Sequence, residues 1–202
     1  MTATIPMSLD GYTDLPPGKI ANVVTYLAWQ EPTPTSPARP GVTVRTIEPP
    51  ATGWFRSLYS QIGTEFLWCS RAVMSEAELT AVLSRPTTSV LALETGGETA
   101  GLAELDFSIP GAAEIVTFGL LSGARGTGAA GIFMDRVLAA CRRPGITRIW
   151  LHTCNFDHPA AFRFYFGKGF RPYKTAVEVF DDPRLTGLLP PDAAPRIPLI
   201  TP

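Results

Sequence analysis

Charge is scarce in this chain and almost balanced. Of 202 residues only 17 % are charged, 17 basic against 18 acidic, for a formal net charge of −1. That balance gives no electrostatic reason to expect a nucleic-acid or membrane partner. No apolar run approaches the roughly 20 residues that span a bilayer. The opening MTATIPMSLDGY has neither a basic region nor a long apolar run, so a secretory signal is not expected. Cysteine is rare: Cys69, Cys141 and Cys154 are odd in number and stand at no metal-ligand spacing. They read as buried free thiols of a reducing compartment, which places the chain in the cytoplasm and calls for no metal.

What is present is a substantial apolar content, 45 % of the residues, enough for one domain with a real core. Proline is unevenly spread: of 20, 7 lie in 1–40 and 6 in 183–202. The chain therefore divides into a proline-rich N-terminal arm with room for one strand (1–40), a folded domain (41–181) and a proline-rich tail (182–202). The arms can pack on their own domain or reach a second subunit, which leaves a homodimer open.

Strand-like runs appear at Ile20–Trp29 and Val42–Ile47. An aromatic-rich segment, 52–69, is partly helical in pattern. Ser75-Glu76-Ala77-Glu78 is a capping box that opens a second helix, ending before Pro86. Thr88–Glu94 and Thr99–Phe107 flank a Gly-Gly turn as a hairpin, and Ala113–Leu121 follows as a third strand. A helix runs from Gly126 or Gly128 to Arg143, a strand from Ile146 to Cys154, a short helix from Pro159 to Gly169, and a last strand from Phe170 to Phe180. The order β-β-α-α-β-β-β-α-β-α-β predicts an α/β (α+β) domain. Its central sheet is mixed, mostly antiparallel, of six to seven strands flanked by about four helices.

The stretch from Glu114 to Gly131, EIVTFGLLSGARGTGAAG, carries the clearest chemical signal. A strand, a glycine loop and a helix start in that order present unpaired N–H groups and the positive end of a helix dipole, an anion site. Gly126-Thr-Gly128-Ala-Ala-Gly131 matches the dinucleotide pattern GxGxxG. That fold, however, needs the loop in the first turn of a long parallel unit with an acidic residue on the next strand. Here antiparallel-type strands precede the loop, and no such acid follows. A P-loop lacks its Gly-Lys-Ser/Thr.

Some thirty residues downstream, Ala161-Phe-Arg-Phe-Tyr165-Phe-Gly-Lys-Gly169-Phe170 fits A-x-x-L/F-Y-x-x-x-G-F. Arg125-Gly126-Thr127-Gly128-Ala129-Ala130 fits Arg/Gln-x-x-Gly-x-Gly/Ala. Together and in this order, over about 42–181, they resemble the GNAT superfamily, the Gcn5-related N-acetyltransferases. The neighbouring DHPAA and FRPY runs resemble a bacterial subgroup of unassigned substrate.

The resemblance implies an enzyme that transfers an acetyl group from acetyl-CoA, its co-substrate, to a primary amine by direct transfer in a ternary complex. The acceptor is a small molecule or a protein. The alternative is a non-catalytic acyl-CoA-binding regulatory module. By position, backbone amides of Arg125, Gly126, Thr127, Gly128, Ala129 and Ala130 hold the pyrophosphate. Backbone groups near Phe118 and Leu120 meet the pantetheine, with Gly119 marking a strand bulge or a close approach to the backbone. Tyr165 touches the cofactor and donates its hydroxyl hydrogen to the departing sulfur. The base is Glu114, with Glu104 as rival; His152 alternates toward the same region. Where the family often has Asn, this chain has His158. Asn155 then either takes over that contact with the cofactor or caps the strand end. A closed aromatic pocket from Trp54, Phe55 and Trp68 would favour a small amine, and a long acidic groove a basic peptide.

Overall fold

The computed structural model describes residues 6–201. One seven-stranded sheet organises it: β1 (Lys19–Trp29), β2 (Val42–Ile47), β3 (Thr88–Thr95), β4 (Glu98–Asp106), β5 (Ala112–Leu120), β6 (Arg148–Cys154) and β7 (Phe170–Asp181). Four α-helices accompany it: α1 (Thr52–Gly63), α2 (Glu76–Leu83), α3 (Ala129–Cys141) and α4 (Ala161–Gly167). The element order is the one the hydrophobic periodicity predicts. The capping box is formed: Ser75 Oγ accepts from Glu78 N while the Glu78 carboxylate accepts from Ser75 N.

The sheet order is β2-β3-β4-β5-β6-β1-β7. Every pair is antiparallel except β5–β6, which is parallel because α3 crosses between them. The run at Ile20–Trp29 is therefore an interior strand. Val24–Ala28 pairs with Trp150–Cys154 on one side, and nearly the whole strand pairs with β7 on the other.

Helices α1 and α2 cover one face through Phe55, Leu58, Ile62, Leu79 and Leu83. Helices α3 and α4 cover the other through Phe133, Met134, Val137, Leu138 and Tyr165. Covered on both sides, β4 is buried through most of its length. Among the described residues, parts of both proline-rich segments are tied to the domain. Ser36 Oγ and the Asp135 carboxylate both receive Lys168 Nζ, at 3.0 and 2.6 Å, and Ser36 N donates to Asp135. The linker before β2 is thus strapped across α3. After β7, Arg184 forms a buried pair with Asp182 and donates to the carbonyls of Ile197 and Ala193. This folds 183–198 back, so that Leu189, Ala194 and Ile197 pack on Ile20, Leu67 and Phe156. Among the described residues no helix is long and apolar enough to cross a membrane.

Candidate active site

The site begins where two strands part. β5 and β6 pair from Ala112/Arg148 to Ile115/Leu151 and no further, although β5 runs on to Leu120 and β6 to Cys154. A register shift against β4 falls at the same level: Glu104 faces Thr117 and Leu105 faces Ile115, leaving Val116 unpaired. The bulge is thus at Val116, which leaves the close approach as the reading of the strand glycine Gly119. An extra residue at Val116 bends β5 away from β6. Gly119 has a different cause. A Cβ on it would overlap Ile62 and come within 2.8 Å of Trp68 Cη2, so the glycine admits those side chains.

The parted strands leave a cleft of about 410 Å³ through the sheet. Alternation sets what it meets. Leu121 N–H donates to Ala100 O on β4, so Gly119 also turns toward β4. The backbone groups of Phe118 and Leu120 then point to the gap left by β6. Phe118 N–H and C=O and Leu120 N–H have no partner there among the described residues, while Leu120 O accepts from Arg125 Nε at 3.0 Å. At the end of the gap lies the glycine loop. Gly126 and Gly128 adopt φ of 73° and 86°, and Gly128 caps α3. The N–H groups of Gly126, Thr127, Gly128 and Ala130 have no partner among the described residues, whereas Ala129 N–H reaches Thr127 Oγ1 at 3.3 Å. Four unpaired donors on a glycine turn are what a diphosphate needs. The Arg125 side chain is already engaged by Glu65 and lies over Phe66.

Arg39, in the strapped linker, brings its guanidinium against Gly128 and has no acidic partner among the described residues. No sequence pattern marks it; only the strap places it at the loop.

Tyr165 stands on α4 with its ring edge-on to Phe118, Phe164 and Phe170 and lines the cleft. Burial, with the nearby Asp157 carboxylate, pushes its phenol up, so it stays protonated and able to donate. Glu114 and His152 meet on the opposite side of the sheet, with His152 Nε2 3.9 Å from Glu114 Oε1. His152 lines the cleft, whereas Glu114 is not among its lining residues. Burial and the Asp106 carboxylate, partly opposed by Arg71 and reinforced by Glu104, raise the Glu114 carboxyl to about 7. Desolvation holds the His152 imidazole below its ordinary value despite Asp157 and Glu178.

Glu104 does not compete as a base. Its carboxylate is 1 % exposed and held by Arg71 Nε and Nη2 at 2.7–3.2 Å, a bidentate pair. Asn155 does not face the cleft either: its Oδ1 accepts from Val23 N at 2.7 Å, which caps the start of the β1–β6 ladder. His158 lines the cleft in its place. Of the three aromatics expected around an acceptor, Trp68 lines the cleft, joined by Tyr59, Phe66, Phe156 and Phe180; Phe55 is in the core and Trp54 packs beside it. Cys141 is buried as expected, but Cys69 and Cys154 are half-buried and line the cleft, all three as free thiols.

The described fold has counterparts. The profile of the acetyltransferase (GNAT) family matches residues 54–170, more than half of the chain. An uncharacterized N-acetyltransferase of Mycobacterium tuberculosis is 34 % identical over 100 residues, 50 % of this chain and 64 % of that protein. Its Mycobacterium bovis counterpart matches equally. The match thus spans less than two thirds of these relatives' length. Among solved structures, a GCN5-related N-acetyltransferase from Sphaerobacter thermophilus aligns with a TM-score of 0.61 at 16 % identity, over 80 % of this chain and 52 % of that one. One from Kribbella flavida aligns with a TM-score of 0.55 at 18 %, over 84 % and 63 %. At such identity they speak for the fold, and the family profile speaks for descent: the chain belongs to the GNAT family of acetyltransferases.

Proposed function

We propose that the chain is an N-acetyltransferase that moves an acetyl group from acetyl-CoA to a primary amine within a ternary complex. One observation carries this reading. The gap between β5 and β6 leaves the Phe118 and Leu120 backbone open, runs from four unpaired loop N–H groups, and passes Tyr165. The residues fit the donor. Gly126, Thr127, Gly128 and Ala130 would take its diphosphate on their N–H groups, with Arg39 adding charge. Phe118 and Leu120 would pair with its amides as a further strand would. When bound, the thioester supplies the activated acyl group.

The chain's own residues then do three things. An open N–H on β5 polarises the acyl carbonyl. The Glu114–His152 pair takes a proton from the incoming ammonium or amine, with His152 at the cleft. Tyr165 donates a hydrogen bond to the leaving sulfur; a phenol held protonated suits that task, and a hydrogen bond that strengthens as thiolate character develops is enough.

The test is release of CoA thiol across a panel of amines, with Tyr165→Phe as control. The wild type turns over at least one amine. The variant loses about 10²-fold or more in kcat while its acetyl-CoA affinity, read by calorimetry, stays within a few-fold. Tight acetyl-CoA binding with no turnover on any amine would replace the enzyme with a non-catalytic acyl-CoA-binding module.

A further inference from the structure

The acceptor side of the cleft holds a polar pair that acetyl transfer itself does not use. Asn22 on β1 and Glu178 on β7 are cross-strand partners, and both line the cleft. Asn22 is 5 % exposed, and its Nδ2 donates to Glu178 Oε2 at 3.1 Å. That bond fixes the amide's orientation, because the reverse would set a carbonyl oxygen against a carboxylate. Asn22 Oδ1 is left as the single buried side-chain polar atom without a hydrogen-bond partner among the described residues. Native structures seldom leave such an acceptor unpaired without a reason. That oxygen has almost no accessible surface, so a donor that arrives with a ligand reaches it only as the Asn22–Glu178 pair opens.

Charge points the same way. No Lys or Arg among the described residues pairs with Glu178. The other ions of the cleft are spoken for: Arg125 by Glu65, and Asp157 by Trp68 Nε1, Thr153 Oγ1 and Cys154 N. This end of the cleft therefore offers an uncompensated carboxylate beside an enclosed, unfilled carbonyl oxygen, and aromatic walls, Tyr59, Trp68, Phe156 and Phe180, whose faces attract cations. Among the described residues no Lys or Arg lining it is free for an acidic acceptor, and Arg196, over Phe66, is held by the carbonyls of Asn155 and Asp157.

Distance and closure narrow the class. Asn22 lies four residues along β1 from Tyr26, which pairs with His152. At about 3.3 Å per residue that is roughly 13 Å. The folded-back tail packs Leu189, Ala194 and Ile197 behind Phe156, Leu67 and Phe180, so the wall near Asn22 is backed by protein. Building on the acetyltransferase reading, we infer that Asn22 and Glu178 form a subsite for a second cationic nitrogen of the acceptor, which is an extended aliphatic diamine or polyamine.

The test uses the full chain loaded with CoA and calorimetric titration with three probes: a long linear α,ω-diamine, the monoamine of equal length, and the ω-amino acid of equal length. The diamine binds tenfold or more tighter than either, about the worth of one charge-assisted hydrogen bond. Asn22→Leu and Glu178→Gln each collapse that preference toward unity. If Asn22→Leu does not fold, as read by circular dichroism, the exposed Glu178→Gln decides alone. Equal binding of diamine and monoamine, or a preference that survives Glu178→Gln, overturns the proposal. Parallel assays with acetyl-CoA separate the two readings. A diamine that is bound preferentially while no amine of the panel is acetylated removes the transferase and keeps the subsite. Equal kcat/KM for diamine and monoamine keeps the transferase and removes the subsite.

Discussion

Replacing Glu114 by Gln should make the protein more stable at alkaline pH and less active. The Glu114 side chain is 20 % exposed, next to Asp106 and near Glu104, and its carboxyl is raised from 4.5 to about 7. In the unfolded chain it would titrate near the ordinary glutamate value. The folded state therefore binds more protons than the unfolded state between those two values, and stability falls as pH rises through that window. Above it the full penalty applies. At about 1.4 kcal/mol for each tenfold change in acidity constant, this amounts to about 3 kcal/mol, a large share of a domain's stability. Glu114→Gln removes the charge and keeps the shape. In urea melts at pH 5 and pH 8.5, the variant and wild type should differ little at the lower pH and by about 2–3 kcal/mol at the higher, the variant being the more stable. In the same variant the limb of kcat/KM that rises with pH around 7 should vanish, because a base works only once deprotonated. Equal stability at both pH values would refute the buried, crowded carboxylate. An unchanged pH limb would refute its role as base and leave His152 to act without it.

Two further outcomes test the geometry around the cleft. Gly119→Ala should force Ile62 and Trp68 off β5, costing about 1–3 kcal/mol in chemical denaturation and lowering turnover, since Trp68 walls the cleft; an unaffected variant would mean the close approach is absent. Arg39→Ala should weaken CoA binding about tenfold and flatten its salt dependence, measured by titration at two ionic strengths, because the guanidinium at Gly128 is the loop's added cation; unchanged affinity would exclude it from the anion site.

Local chemistry made much of this protein legible before folding. The capping box at Ser75, the Gly-Gly hairpin, the glycine turn before α3 and the helix-ending Gly169 each satisfy nearby backbone groups, so their signals lie within a few residues of one another. The loop was legible from its glycines before a helix, and Tyr165 from the resemblance of Ala161–Phe170 to the GNAT pattern. Tertiary contacts decided the rest. β1 reads as a lone strand in an arm, but two strands more than 120 residues away lack a partner between them, and it fills that place. Glu104 and Glu114 look alike along the chain; Arg71, arriving from the α1–α2 connection, neutralises one and leaves the other crowded by carboxylates. Arg39, Asn22 and Glu178 carry no motif, because their meaning comes from neighbours across the sheet or the strap. Backbone satisfaction is a short-range demand and is written in short-range pattern. Charge pairing and cleft lining depend on which distant segments the sheet brings side by side, and only the folded chain determines them.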